Sequence, residues 1–166
     1  MHLYILGFMG SGKTTLFDKW REQYRDFSLD FDWELASRFG IKPNELGAWI
    51  EKFGWEEFRK AETSLLEETL VRGRGLYSLG GGTFSQNNIK RFKGHPEAVT
   101  LWLNTPVEIC WERVKNDKNR PLVKAGKDEF FALYAQREAL YSQAKYSLSG
   151  EGELPSLDEF WKNYVV

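Results

Sequence analysis

A glycine-rich loop near the amino terminus places the strongest constraint on the fold. Residues 7–14 read GFMGSGKT and satisfy the pattern G-x-x-x-x-G-K-[ST]. The loop follows the apolar run LYIL at 3–6 and precedes the helical pattern KTTLFDKWREQYR at 13–25, which is the strand–loop–helix setting that the motif requires. We therefore predict a P-loop whose backbone N–H groups and following helix terminus bind a nucleoside triphosphate. The alternative is a chance match in a glycine-bearing loop.

The P-loop motif assigns roles to single residues. The Lys13 ammonium is expected to pair with the β- and γ-phosphate oxygens, and the Thr14 hydroxyl with the Mg²⁺ ion that bridges them. The expected nucleotide contacts in this loop are Gly10, Ser11, Gly12, Lys13, Thr14 and Thr15.

Composition excludes several other classes of protein. The 166 residues suit one domain, and 23 Lys+Arg against 24 Asp+Glu argue against a general binder of nucleic acid or anionic membranes. The apolar run AVTLWL at 98–103 is far too short to span a bilayer, so we expect a cytoplasmic protein with no membrane partner. Cys110, in a helical pattern, is expected in the core, while His2 and His95 lack partners at zinc-binding spacing.

Strand-like and helix-like segments alternate along the chain. Strands are predicted at 27–30, 75–79, 98–103 and 146–148, and helices at 32–38, 43–52, 55–71, 87–93, 105–115, 128–145 and after Pro155. Thr105 is expected to cap its helix, with Pro106 in the first turn and Glu108 completing a capping box. Residues 116–127 are expected to form a polar loop. The alternation predicts an α/β fold with a mainly parallel sheet covered on both faces.

Two aspartates follow the second predicted strand. Asp30 and Asp32 are two residues apart, so their side chains would share one side if the strand continued. Such a pair suits one role in the Mg²⁺ shell and one role in activating a hydroxyl group. An equally good explanation is that Asp32 caps the helix that begins at WELASRF.

Two arginines lie on largely apolar helix faces. Arg137 follows Phe130 and Tyr134 at helical spacing, and Arg59 has Glu62 one turn away. Two guanidinium groups in such places can grip a carboxylate with paired hydrogen bonds. The alternatives are an ion pair with Glu62 for Arg59 and a solvent-directed head group for Arg137.

A third arginine and a triple glycine complete the candidate residues. Arg120 precedes Pro121 in the polar segment, where a mobile cover over the phosphates would carry a cation; a solvated charged loop is the alternative. Residues 76–83 read LYSLGGGT. Three consecutive glycines after a strand indicate either a flexible turn or a close approach to the backbone.

Taken in order, these motifs resemble the shikimate kinase family. The resemblance is carried by GFMGSGKTT, D-x-D at 30 and 32, GWEEFRKAE, SLGGG, ERVKNDKNRPLV and REALY, and it spans nearly the whole chain. It implies a P-loop fold of the nucleoside-monophosphate-kinase type: a three-layer α/β sandwich with a five-stranded parallel sheet. A single domain, 1–166, would include a small substrate-binding helical region at about 31–60 and a lid at about 114–126.

The resemblance also implies the chemistry. The expected activity is ATP-dependent phosphorylation of shikimate with Mg²⁺, by an enzyme that we expect to be a monomer. Asp30 and Ser78 would hold the metal's water shell, Asp32 would bind and activate the acceptor hydroxyl, and Arg120 and Arg113 would meet the phosphates and the adenine. The residues implied for shikimate itself are Asp32, Arg59, Gly80, Gly81, Gly82 and Arg137.

Two positions depart from the family pattern. Ile50 stands where an aromatic residue is common, and Trp55 where an acidic residue is common, whereas the aromatic Phe58 is kept. These departures bear on ring packing and substrate affinity rather than on the reaction. Phosphorylation of another polyol acid, such as gluconate, and a nucleotide-binding module without turnover are the alternative functions.

Overall fold

A central parallel sheet organises the molecule. The computed structural model describes residues 2–24 and 27–164. The strands are β1 His2–Leu6, β2 Ser28–Asp30, β3 Gly75–Ser78, β4 Ala98–Asn104 and β5 Tyr146–Ser149. They pair in parallel in the order β2-β3-β1-β4-β5. The predicted five-stranded parallel sheet is therefore confirmed.

Helices cover both faces of the sheet. They are α1 Lys13–Arg21, α2 Phe31–Phe39, α3 Leu46–Phe53, α4 Trp55–Arg72, α5 Gln86–Gly94, α6 Val107–Val114, α7 Pro121–Ala125, α8 Lys127–Tyr141 and α9 Leu157–Tyr164. The first helix ends at Arg21, earlier than predicted, and Arg25 of the predicted helix lies outside the described residues. Among the described residues, no helix is long and apolar enough to cross a bilayer.

Alternation along β1 produces the two halves of the core. Leu3 and Ile5 pack on one face of the sheet with α1 and α9, whereas Tyr4 and Leu6 pack on the other face. This second core also takes buried side chains from α2, α4, α5 and α8. A parallel sheet buried on both faces needs apolar residues at successive positions, and the run at 2–6 provides them.

Two local predictions are wrong. Pro106, not Thr105, occupies the N-cap position of α6, and no side chain caps that helix. The Thr105 hydroxyl instead donates a hydrogen bond to the backbone carbonyl of Ser11, at 2.8 Å. The polar segment 116–127 contains the short helix α7, which begins at Pro121, a residue suited to the first helical position.

The carboxyl ends of three adjacent strands meet at one edge of the sheet. The P-loop follows β1, Asp30 ends β2, and the triple glycine follows β3. Ligands of open α/β sheets bind at this edge, where the strand order switches direction. The fold therefore brings the main sequence motifs to one place.

Candidate active site

The P-loop adopts a conformation that its glycines make possible. Gly10 and Gly12 have φ angles of 81° and 93°, in the left-handed region that disfavours other residues. A Cβ atom on Gly10 would also lie 2.5 Å from the carbonyl oxygen of Cys110 on α6. Glycine is thus needed at position 10 for both its backbone angle and its lack of a side chain.

Side chains from other elements hold the P-loop in place. Thr105 donates to the Ser11 carbonyl at 2.8 Å, and Arg113 Nη1 donates to the Gly10 carbonyl at 3.0 Å. Arg113 Nη2 also approaches the Gly150 carbonyl, at 3.5 Å. The structure therefore places the Arg113 guanidinium against the P-loop backbone, and its contact with adenine stays a prediction.

Oxygen donors from neighbouring strands suit a magnesium site. Asp30 and Ser78 are paired residues at the ends of β2 and β3, and Thr14 and Asp30 border one cleft. Ser78 is fully buried, and its hydroxyl has no hydrogen-bond partner among the described residues. A buried hydroxyl normally has a partner, so a bound water or ion would satisfy it. Mg²⁺ prefers oxygen ligands and keeps several waters, which fits these residues.

The two aspartates occupy different structural positions. Asp30 caps α2 by accepting a hydrogen bond from the Trp33 backbone N–H at 3.2 Å, while Asp32 lies inside the first turn of the helix. The strand does not continue past Asp30, so the predicted strand geometry of the pair is wrong, and so is the prediction of Asp32 as the cap. The described part of the chain contains no cluster of three His, Cys, Asp or Glu side chains able to hold a metal.

Electrostatics distinguish Asp32 as a candidate base. Burial is the main cause that raises the pKa of Asp32 above its ordinary value, and the charges of Asp30 and Glu62 raise it further. Lys13 and Arg59 act in the opposite direction. A carboxylate with a raised pKa is a better proton acceptor, and the two nearby cations favour its charged form.

One cavity of about 830 Å³ brings most of the predicted acceptor residues together. Its polar wall includes Asp32, Arg59, Gly81, Gly82 and Arg137. Its apolar wall consists of Phe8, Met9, Leu46, Ile50, Trp55, Phe58, Pro121, Leu122, Ala125 and Leu133. Both departures from the family pattern thus contact this cavity.

Arg59 and Arg137 are held differently. Arg59 Nη1 forms an ion pair with Glu62, a buried residue that also accepts a hydrogen bond from the Thr83 hydroxyl at 2.6 Å. Arg137 is half-buried on the face of α8 that carries the buried Tyr134. Among the described residues, Arg137 has no hydrogen bond or ion pair. Its guanidinium is therefore available to an anion in the cavity.

The triple glycine makes room for side chains of the site. A Cβ on Gly80 would lie 2.8 Å from Asp32 Oδ1, and one on Gly82 would overlap the Arg59 guanidinium. A Cβ on Gly81 would meet no atom within 4 Å. None of the three glycines has a positive φ angle. Close approach, rather than an unusual backbone angle, is thus the reason for glycine at positions 80 and 82.

Two contacts of this turn were not predicted from the sequence. The Tyr141 hydroxyl donates to the Gly81 carbonyl at 2.6 Å, and Thr83 binds Glu62. The available signals were the apolar helix face that contains Tyr141 and the threonine that ends LYSLGGGT. Neither signal identifies its partner, because both contacts join residues far apart in the chain.

The predicted lid borders the cavity, whose wall also includes Phe8 and Met9 of the P-loop. Pro121 and Leu122 of α7 line the cavity, and Pro121 Cγ would lie 3.7 Å from a Cβ on Gly47 of α3. Arg120 is exposed and pairs with Asp117, with 2.8 Å between Nε and Oδ2. This arrangement matches the solvated-loop alternative, so a contact between Arg120 and phosphate stays a prediction.

The fold and site define a class of protein. A P-loop after the first strand, a strand order of 2-3-1-4-5 and a neighbouring cavity lined by residues of α3 and α7 are together typical of small P-loop kinases. The family model for shikimate kinase matches residues 9–164. The chain belongs to the shikimate kinase family.

Individual relatives agree with this assignment. A shikimate kinase from Persephonella marina is 32% identical over 155 residues, which cover 93% of this chain and 92% of the relative. The crystal structure of shikimate kinase from Aquifex aeolicus is 30% identical with a TM-score of 0.78, covering 92% of this chain and 89% of that one. The enzyme from Acinetobacter baumannii, solved in complex with shikimate, is 31% identical with a TM-score of 0.78, covering 99% and 90%.

Proposed function

We propose that this chain transfers the γ-phosphoryl group of ATP to the 3-hydroxyl of shikimate, forming shikimate 3-phosphate and ADP. One observation carries the proposal. A single cavity beside the P-loop contains an aspartate with a raised pKa and two arginines from different helices. This set can bind an acid that also carries a hydroxyl group, and membership of the shikimate kinase family supports shikimate as that acid.

The acceptor's carboxylate would bind between Arg59 and Arg137. Charge-assisted bonds from planar guanidinium groups give both affinity and orientation. Arg59 is oriented by Glu62, while Arg137, which has no partner among the described residues, would use its donors for the ligand. The backbone at Gly81 and Gly82 would approach the ring on one side, and the apolar wall would contact its carbon atoms.

On the donor side, the P-loop backbone and Lys13 would bind the phosphates, with Arg113 beside them and Arg120 approaching as the lid closes. Thr14 would bind Mg²⁺ directly, and Asp30 and Ser78 would bind its waters. A bound Mg²⁺ would neutralise charge on the β- and γ-phosphate oxygens. The Ser78 hydroxyl, which has no partner within the described part of the chain, is the structural feature that fits such a shell.

Asp32 would act on the attacking hydroxyl. As the new bond forms between the acceptor oxygen and the γ-phosphorus, the bond from phosphorus to ADP breaks, and Asp32 accepts the hydroxyl proton. Lys13 would stabilise the negative charge of the transferred group. Because little covalent chemistry falls to the protein, positioning and electrostatics supply most of the catalysis.

We also propose an oligomeric state and a location for the enzyme. All of these residues come from one chain, so we propose a monomer, and we place it in the cytoplasm, where ATP is available.

A coupled assay of ADP release tests the function. Purified protein is incubated with Mg²⁺ and ATP alone, with added shikimate, and with added gluconate. We expect ADP release that depends on shikimate, with shikimate 3-phosphate as the product. Stimulation by gluconate alone would identify a different polyol-acid kinase, and ATP binding without stimulation by either acid would indicate a nucleotide-binding module.

A further inference from the structure

A large aromatic side chain at the cavity is unusually exposed. Trp55 contributes to the cavity wall, yet 60% of its surface is accessible. It is the first residue of α4 and follows Gly54, whose φ of 92° lets the chain turn sharply from α3. Its ring meets Phe58 edge to face, at 6.0 Å and 86°. The turn at Gly54 thus presents an indole at the cavity rather than in the core.

The indole lies against one of the two arginines of the site. Trp55 and Arg59 are four residues apart on α4, a spacing that places them on the same helix face. Arg59 Cζ lies 4.8 Å from the centroid of the Trp55 ring, within the range of a cation–π interaction. Tryptophan provides the strongest such interaction among the aromatic residues.

The Trp55 ring completes a set of restraints on the Arg59 guanidinium. Glu62 pairs with Nη1, and the backbone at Gly82 leaves no room for even a methyl group beside the guanidinium. The ion pair restrains one nitrogen, whereas an aromatic ring restrains the guanidinium plane. Among the described residues, Arg59 has no acceptor other than Glu62. Its remaining donors are therefore available to a ligand in a fixed orientation.

We propose that Trp55 is a positioning residue that acts through Arg59: its indole fixes the guanidinium plane so that the remaining donors meet the acceptor's carboxylate. The inference rests on the proposed function because it assigns Arg59 to that carboxylate. The simplest competing role for Trp55 is an apolar wall, which any side chain of similar bulk would provide. The two roles are distinguished by comparing an apolar substitution that removes the aromatic ring with one that keeps an aromatic ring.

The kinetic test compares Trp55→Leu with Trp55→Phe. Leucine keeps an apolar side chain but removes the π face, so the KM for shikimate should rise about 5- to 30-fold, corresponding to a cation–π interaction of about 1–2 kcal/mol. Phenylalanine should restore most of the affinity. Turnover at saturation and the KM for ATP should stay within about twofold of wild type in both variants, because the reacting groups are untouched.

Phe53→Leu is the matched control. Phe53 is another exposed aromatic residue, two positions earlier, that packs on Trp49 at 4.8 Å and lies outside the cavity wall. Its replacement should leave the KM for shikimate unchanged. If Trp55→Leu behaves like wild type, or if Trp55→Phe is as weak as Trp55→Leu, the positioning role is wrong.

A stability cycle decides the inference independently of the acceptor. Thermal unfolding is measured for wild type, Trp55→Leu, Arg59→Gln and the double variant without ligands. Contact between the two side chains predicts that the double variant loses less stability than the sum of the single losses. Additive losses would overturn the contact. If shikimate does not stimulate ADP release by the wild-type protein, the proposed function is wrong. The stability cycle would still show whether the Trp55 and Arg59 side chains interact.

Discussion

On the nucleotide side of the cleft the ligand would meet mainly backbone, whereas on the acceptor side it would meet side chains carried by separate elements. The P-loop depends on glycine at positions 10 and 12 and on hydrogen bonds that end on its carbonyl groups. The acceptor cavity depends on charges from α2, α4 and α8 and on an apolar wall. Backbone recognition needs a particular short sequence, whereas side-chain recognition needs a particular fold.

This difference predicts how each side tolerates change. Substituting a side chain on the acceptor side should alter acceptor affinity or turnover while ATP binding persists. Changes to the P-loop backbone should lower the affinity for ATP more than the affinity for the acceptor. A substitution that changed both affinities equally would show that the two sides are not separate.

The largest effect is expected for Asp32→Asn. The amide keeps the shape of the carboxylate but cannot accept the hydroxyl proton, so turnover should fall by about 10²- to 10⁴-fold. The KM for ATP should change little, because Asp32 lies in the acceptor cavity. Asp128→Asn, in the exposed first turn of α8, is the matched control and should keep full activity. Near wild-type turnover by Asp32→Asn would remove Asp32 from the chemistry.

We also expect the Asp32 carboxylate to lower the stability of the folded protein at neutral pH. Its pKa is raised on folding, so between its ordinary value of 3.8 and the raised value the folded protein binds more protons than the unfolded chain. The free energy of unfolding contributed by Asp32 therefore falls as the pH rises through that window. Without ligands, Asp32→Asn should be more stable than wild type at neutral pH, and the gap should narrow at acid pH. Thermal unfolding across pH measures this, and a constant gap would contradict the raised pKa.

The next largest effect is expected for Arg137→Lys. Lysine keeps the charge but loses the planar pair of donors, so the KM for shikimate should rise about 10- to 100-fold. Arg91→Lys serves as the control, since Arg91 is partly exposed and bonds to Glu67, Asn87 and Asn88, none of which lines the cavity. Steady-state kinetics with varied shikimate provides the measurement. An unchanged KM for Arg137→Lys would place the carboxylate elsewhere.

Much of the fold could be predicted because its signals are local. The P-loop pattern, the apolar strands and the helix faces each lie within one segment, and the parallel order follows from their alternation. The aspartate pair shows the limit of local signals. Asp32 could either continue the strand or enter the helix, and the capping bond that the Trp33 backbone N–H donates to the Asp30 carboxylate favours the helix.

Contacts between distant segments could not be predicted. The sequence around Thr105 matches a helix cap, yet the hydroxyl serves a loop 94 positions away. The preferences of a local motif are weak compared with a buried hydrogen bond that satisfies a carbonyl group. The ion pair between Arg59 and Glu62, in contrast, joins residues one turn apart on α4, and the sequence offered it as one of two alternatives.

Substitutions in the triple glycine are expected to have smaller effects on acceptor binding than Arg137→Lys. Gly80→Ala should destabilise the fold by about 1–3 kcal/mol and lower turnover, because its Cβ would press on Asp32. Gly81→Ala should keep its melting temperature and its ATP affinity but lose affinity for shikimate several-fold, because its Cβ projects into free space at the cavity wall. Thermal unfolding and kinetics on both variants separate the two effects. If Gly81→Ala lost stability but kept its affinity for shikimate, the triple glycine would serve only as a turn.

The smallest effect is expected for Ser78→Ala, and it compares two buried hydroxyl groups. Ser78 has no partner among the described residues, so its removal leaves no group unsatisfied and the melting temperature should hold. The Mg²⁺ concentration for half-maximal activity should rise about fivefold, corresponding to one lost water-mediated bond of about 1 kcal/mol. Thr105→Val, in contrast, leaves the Ser11 carbonyl without its donor and should destabilise the fold by about 1–3 kcal/mol. If Ser78→Ala were less stable than Thr105→Val and its Mg²⁺ requirement were unchanged, Ser78 would have a structural role instead.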